Sequence, residues 1–500
     1  MKVDEKIENA YIDNFFFFFF NFEDGEILDD NNDEGAVFAI SSCDGRGMSI
    51  EGREGKTFEE DDDSRRAFSV LDAGKNLFLT GKAGTGKTSF LEEYRKRNEN
   101  NSNGKNVVVL APTGIAAENA SGKTIHSFLN IPIETDYPGY PCKFPRKTQK
   151  KLDNKKDIIK QIDVVVIDEI SMVRCDTLDA IDSILRYCRD CNEPFGGIQM
   201  VLIGDLYQLP PVAKIEEWDK IRIECNYENE FFFSAKVLKT VKYETVELRT
   251  VRRTTDVKLV DVLNRIRIGT VSKDDIDYLN KRHEPNFTPD VDSGVVILSA
   301  RNTDVRKINN DYFYNSPKLK NVEYKEYKAT ICDVWKIKGK KREDWYPVKR
   351  YLRLKIGSRV MCTRNTGDYT NGTLGWVVAL ERDCVRIKKD DGDEVCVTRA
   401  TWEQTEYKMD ERTKHLESCV TGRFVQFPLK LAWAISIHKC QGLSFDTVVI
   451  NAANSFAAGQ VYVALSRCRT FNGIHLLSPI TRELIMVDES VRRFFKTMSK

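Results

Sequence analysis

The run Gly81-Lys82-Ala83-Gly84-Thr85-Gly86-Lys87-Thr88 follows an apolar stretch, Asn76 to Thr80, and precedes a helical one, Ser89 to Arg97. A strand, a glycine-rich turn ending in Lys-Thr and then a helix is the context in which this pattern cradles phosphate. Glycines let backbone N–H groups turn inward on the β- and γ-phosphates, and the helix adds its positive N-terminal end. Lys87 sets a cation against those oxygens, and the Thr88 hydroxyl can ligate Mg²⁺. These eight residues imply a bound nucleotide, ATP with its Mg²⁺, on an α/β scaffold.

Three further short apolar runs support that scaffold: Val107 to Leu110, Val164 to Ile167 and Met200 to Ile203. Such runs, alternating with helical stretches, indicate a parallel sheet covered on both faces. Ligands bind such sheets beyond the carboxyl ends of the strands. Ala111-Pro112-Thr113, Asp168-Glu169 and Gly204-Asp205 fall there. Asp168 can hold the Mg²⁺ shell and Glu169 can orient or deprotonate an attacking water, which turns binding into hydrolysis. The bland reading of that pair is an acidic helix cap. Gln208, in Gly204-Asp205-Leu206-Tyr207-Gln208-Leu209-Pro210-Pro211, stands where a glutamine can sense the γ-phosphate, although the segment alone reads as a turn.

The chain has 500 residues, more than one core accommodates, and roughly two to four domains are expected. Residues 1–63 hold 19 acidic and 5 basic side chains, a net of −14, and no sustained periodicity. They read as an acidic, low-complexity, disordered leader, with the run Phe15 to Phe20 unexplained. The other 437 residues carry a net charge of +15, which suits a body that meets phosphate backbones. A first lobe is expected over 64–235, with a small accessory insertion at about 129–160. A second lobe is expected over 236–500, from Val295 to Leu298, Val448 to Ile450 and Ile474 to Leu477. Glycine-punctuated alternating runs at about 350–425, such as Glu394 to Thr398, read as an inserted small β-barrel. The basic and aromatic run from Lys143 to Lys151 reads as a solvated face sooner than a DNA-tracking loop.

No apolar run approaches the roughly 20 residues that span a bilayer. A soluble intracellular protein is expected, nuclear in a eukaryote and otherwise cytoplasmic. The 13 scattered cysteines read as reduced thiols, and the pair Cys188 and Cys191 as helix-borne thiols sooner than a metal site.

Taken in order, the phosphate loop, Ala111 to Ala117, Thr124 to Phe128, Ile167 to Met172, Gly204 to Pro211, Ile435 to Ser444 and Val461 to Cys468 resemble the petite-integration-frequency (PIF) family of superfamily-one DNA helicases. The resemblance spans about residues 65–480. It implies two RecA-like lobes with ATP between them, and 5′-to-3′ translocation on single-stranded DNA to unwind duplexes at junctions. It further implies service in repair, recombination or genome and telomere maintenance. A monomer is expected, with the oligomeric state left open by the sequence. By position it makes Arg253 and Arg467 the arginines that reach ATP from the second lobe, and it adds Gly442 to the nucleotide site. It places Thr113, His126, His438 and Lys439 near the DNA strand. Ser64 stands near the family's adenine-reading glutamine, Thr254 replaces a glutamine after Arg253, and Ser436 and Ser444 replace two threonines. Two other readings compete: a translocase that strips proteins without unwinding, and a slow nucleotide-dependent DNA-binding switch.

Overall fold

The computed structural model describes residues 58–498, apart from 101–103, 132–140, 145, 214, 255, 334–345, 410–415 and 454. Most of the acidic leader, with its phenylalanine run, lies outside the described residues. Its last residues, 58–63, do not form a separate tail. Asp61 caps the helix Asp62–Asp72, accepting from the Ser64 amide while the Ser64 hydroxyl closes a capping box. Asp63 pairs with Arg249, Asp61 with Arg252 and Glu60 with Arg97, so these acidic residues are anchored on the body.

The first sheet has six parallel strands: β1 (Asn76–Gly81), β2 (Val107–Ala111), β3 (Lys123–Thr124), β4 (Val164–Ile167), β5 (Gln199–Ile203) and β6 (Tyr243–Leu248). Their spatial order is β3-β2-β4-β5-β1-β6. Side chains alternate between two cores, as strand geometry requires. Phe78, Leu110, Val165, Ile167, Met200 and Leu202 join the cluster under the helix Cys175–Arg189. Leu77, Leu79, Val109, Val164, Val166, Val201 and Ile203 join the cluster with Phe68, Leu71, Phe90 and Leu91 from the helices Asp62–Asp72 and Lys87–Glu99.

The sheet runs past the expected division at residue 236. β6 pairs with β1 along six residues, from Asn76↔Tyr243 to Gly81↔Leu248. Only Val246 and Leu248 of β6 are buried, as suits an edge strand. A second parallel sheet orders Ala434–Ser436, Val296–Ser299, Val448–Asn451 and Ile474–Leu476 as neighbours. Its core also takes Leu259, Val262, Leu263 and Ile266 from the helix Val257–Ile268.

Between the strands of the second sheet, the chain builds antiparallel sheets from Lys325 to Leu431, a wider span than the expected 350–425. They enclose a separate core of Leu352, Leu354, Val360, Val377, Val385, Ile387, Val397 and Phe427. Glu394–Thr398 is one of the strands. One cysteine pair departs from the all-thiol expectation. Cys384 and Cys396 lie on adjacent strands, Cα atoms 5.8 Å apart, and form a disulfide. Adjacency across two paired strands brings the two sulfurs together, which spacing in the sequence does not show. Cys188 packs in the first core. From the basic run, Lys150 is exposed while Phe144 and Leu152 pack inward. Among the described residues, no helix is long and apolar enough to cross a membrane.

Candidate functional site: a nucleotide cleft between two parallel sheets

The phosphate loop hangs from the carboxyl end of β1. Gly84 and Gly86 take φ of +82° and +86°, in the left-handed region where a side chain is strained. Gly86 caps the helix Lys87–Glu99 with no side-chain hydrogen bond, leaving the first helical amides to a ligand. Lys87 Nζ donates to the Gly81 carbonyl at 2.7 Å and the Lys82 carbonyl at 3.1 Å, which holds the ammonium inside the loop. Burial pulls its pKa below the ordinary value against the attraction of Asp205 and Glu169. Thr88 is exposed in the first helical turn.

Asp168 and Glu169 leave the carboxyl end of β4, two strands from β1. Asp168 accepts the Glu169 amide at 2.9 Å. Glu169 adopts φ 52°, ψ 44°, a left-handed conformation unusual for a glutamate and typical of residues held for function. Its Oε2 is buried without a hydrogen-bond partner. Burial raises both carboxyls above the ordinary range, and the charge of Asp168 raises Glu169 further while Lys87 opposes it. An orphaned, proton-seeking carboxylate oxygen facing an open glycine cradle suits a water poised at a terminal phosphate. Thr88 and Asp168 are the oxygen donors that fit Mg²⁺, a hard cation that prefers hydroxyl, carboxylate and phosphate oxygens.

On the facing side, Arg467 is 1% exposed and its guanidinium bonds the Val463 carbonyl (3.0 Å), the Leu443 carbonyl (3.3 Å) and the Ser466 hydroxyl (2.8 Å). Arg253 reaches the Ser466 carbonyl at 3.4 Å. Among the described residues neither guanidinium meets a carboxylate in a salt bridge. Burial, reinforced by the like charge of Arg467, holds the Arg253 pKa below its ordinary range. Two adjacent cations satisfied only by neutral oxygens make a socket for an anion.

The placement of Arg253 corrects one expectation. It follows β6 of the first sheet, five residues past Leu248, and is not carried by the second sheet. Arg252 N–H donates to the Gly84 carbonyl at 2.8 Å, and a Cβ added at Gly84 would lie 2.5 Å from the Arg253 Cβ. Arg253 is therefore packed against the phosphate loop, and Arg467 alone of the two belongs to the second lobe. A further cross-cleft contact was not legible in the sequence: the Ala83 amide donates to the Tyr462 hydroxyl at 2.9 Å.

Gln208 follows β5 and lies 3.5 Å from Gln441 across the cleft, Oε1 to Nε2. Gly442, expected at the nucleotide, lies between Gln441, which meets Gln208, and Leu443, whose carbonyl accepts from Arg467. It is exposed at φ +81°, and a Cβ there would lie 3.5 Å from Asn119, at the end of the helix after β2.

Thr113 and His126 follow β2 and β3, at the sheet edge away from the phosphate loop. The Thr113 hydroxyl caps the Ala116 amide at 3.2 Å. Burial lowers the His126 pKa, with the Arg174 charge adding to the effect. His438 and Lys439 sit in the turn after Ala434–Ser436, His438 stacked on Phe456. Burial lowers His438 to about 4, so its ring is neutral. The carboxyl edge of the first sheet thus orders its residues in space: phosphate loop, Gln208, Asp168-Glu169, Thr113, His126. At roughly 4.8 Å per strand, the last lies on the order of 20 Å from the first.

Two parallel sheets closing a phosphate loop, a carboxylate pair and facing arginines into one cleft define a P-loop NTPase of the two-lobed, RecA-like kind. A family model described as PIF1-like helicase matches residues 64–277. The ATP-dependent DNA helicase Pif1 of Bdellovibrio bacteriovorus is 31% identical over 86% of this chain and 90% of its own length. The zebrafish (Danio rerio) ATP-dependent DNA helicase PIF1 is also 31% identical, and there the chain spans only 64% of the relative's length. A crystal structure of Bacteroides Pif1 helicase in complex with ADP-AlF3 and ssDNA superposes with a TM-score of 0.66 at 37% identity, covering 88% of this chain and 97% of that one. The chain belongs to the PIF1-like helicase family.

Proposed function

We propose that this protein is an ATP-dependent DNA helicase that hydrolyses ATP in the cleft to move 5′-to-3′ along single-stranded DNA and open duplexes at junctions. The observation that carries the reading is the pair Arg253, packed on the phosphate loop, and Arg467, from the second lobe, which come together there with no salt bridge to a carboxylate among the described residues. A γ-phosphate supplies that anion, and the guanidinium groups stabilise the charge that develops on it. Thr88 and Asp168 would hold Mg²⁺, which would supply charge neutralisation at the phosphates. Glu169 orients and deprotonates the attacking water. Because Arg467 and Tyr462 come from the second lobe, they engage nucleotide only in the closed cleft, and loss of the γ-phosphate releases them. Opening and closing then displace Thr113 and His126 on one lobe against His438 and Lys439 on the other. Those four residues are proposed to hold the strand. A basic body and a relative solved with ssDNA support a nucleic-acid track.

Strand displacement on duplexes with a 5′ or a 3′ single-stranded overhang tests activity and polarity together. ATP-dependent opening of the 5′-overhang substrate is the expected result. Opening only the 3′-overhang substrate would reverse the polarity, and DNA-stimulated hydrolysis without opening either would favour a translocase.

A further inference from the structure

The loop after β5 belongs to both lobes. Leu206 is buried in the first core, whereas Leu209, three residues on, is buried in the second. Between them lie Tyr207 and Gln208, and a Cβ added at Gly459 of the second lobe would meet the Gln208 carbonyl at 2.2 Å. The loop begins with Asp205, a fully buried carboxylate. Its partner is Arg267, in the last turn of the helix Val257–Ile268, which packs in the second core. Arg267 Nε and Nη2 donate to Asp205 Oδ1 at 3.1 and 2.9 Å, and Nε also lies 3.2 Å from Oδ2.

Arg267 does more than neutralise that carboxylate. Its guanidinium lies 4.6 Å from the centroid of the Tyr207 ring, whose plane stacks at 5.1 Å on Phe495. Arg492, on the same helix as Phe495, donates to the Ile268 carbonyl at 3.1 Å, capping the helix that carries Arg267. Asp205 in turn contacts Gln208 Nε2 at 3.4 Å, and Gln208 meets Gln441. Asp205 is also the carboxylate whose charge bears most on Lys87. A continuous path runs from the helix Val257–Ile268 through Arg267, Asp205 and Gln208 to the nucleotide loop and across the cleft.

We infer that Arg267 is a positioning residue that pins the loop Asp205–Gln208 to the second lobe, so that DNA-driven closure of the cleft is transmitted to the nucleotide site. At 5% exposure, with its guanidinium taken up by Asp205, it has little surface to offer a ligand. It fixes which lobe the loop follows, and the energetic coupling between the two ligands depends on that choice. The inference rests on the proposed DNA-stimulated hydrolysis, so wild-type stimulation is measured first. If single-stranded DNA does not raise the wild-type rate, the helicase reading fails and Arg267 is not in question.

Three variants decide the role of Arg267: R267K, R267M and the double variant D205N/R267M. The readouts are ATP kcat and KM with and without single-stranded DNA, DNA affinity with and without ADP-AlFx, and melting temperature. R267M leaves Asp205 buried and unpaired, which lowers stability. The double variant removes both charges and recovers stability. If Arg267 positions the loop, both R267M and the double variant lose DNA stimulation of kcat by roughly 5- to 150-fold, while the KM of R267M without DNA stays within about threefold, and R267K retains part of the stimulation. If stimulation returns together with melting temperature in the double variant, the residue is merely structural and the inference is overturned. Full stimulation in R267M would overturn it as well. Should R267M fail to fold, R267K and the double variant still separate these outcomes.

Discussion

The two sides of the nucleotide cleft are charged in opposite senses. The first lobe presents Asp168, Glu169 and Asp205 around Lys87, and its carboxylates and cation answer one another. The facing side presents Arg467, held by carbonyls and a hydroxyl, and Arg253, packed beside Gly84 at the seam, reaches across to the Ser466 carbonyl. The first side can hold a nucleotide alone, because a glycine nest, a helix N-terminus and Lys87 are all built on β1. The second side gains an anion only when nucleotide is present and the cleft is closed. Holding is therefore local to one lobe, while turnover needs two.

Substitutions on the two sides should separate these roles. Lys87→Ala removes the cation inside the loop, and ATPase assays should show hydrolysis down by 10³-fold or more, together with weaker nucleotide binding. Normal turnover would remove this loop from the site. Glu169→Gln keeps shape and hydrogen bonding but removes the base, so turnover should fall about 10²- to 10⁴-fold while binding of a fluorescent ATP analogue persists. Parallel loss of binding would mean that Glu169 holds nucleotide instead. Tyr462→Phe deletes only the hydroxyl that accepts from Ala83, at a cost of about 1 kcal/mol in a bond made in the closed cleft. Its expected signature is a severalfold lower kcat with little change in nucleotide affinity without DNA.

A further expected effect is on stability, and it concerns His438. Unfolded, its ring takes a proton near pH 6.5, whereas the folded protein resists protonation until about 4. The unfolded chain binds more protons in that window, so stability falls as pH drops from 7 towards 4, by roughly 1–2 kcal/mol at pH 5 from this one group. Urea titrations at pH 7 and pH 5 should show that part of the difference vanish in His438→Gln. An unchanged difference would mean that the ring is solvated.

How much could be read from the chain depended on whether the signal was local. The phosphate loop is a run of adjacent residues, β4 and β5 are continuous runs buried on both faces, and the polar ends of these strands mark the site directly. β6 escaped notice because it alternates at a sheet edge, with only Val246 and Leu248 buried. Its placement moved Arg253 from the second lobe to the seam beside Gly84. Ala434–Ser436 is three residues long, too short to show a period. The contacts that complete the cleft join residues far apart in sequence: Ala83 to Tyr462, Gln208 to Gln441 and Asp205 to Arg267. Arg267 offered one faint signal, a charged residue next to Ile266 on the buried face of a helix, which needs a buried partner.

Arg467→Ala, assayed in the presence of single-stranded DNA, tests the divided site most directly, with nucleotide affinity and single-turnover hydrolysis measured on the same preparation. If turnover needs the second lobe, nucleotide affinity stays within about threefold while the hydrolysis rate falls roughly 10³-fold or more. Hydrolysis at the wild-type rate, or a loss of affinity as large as the loss of rate, would contradict it.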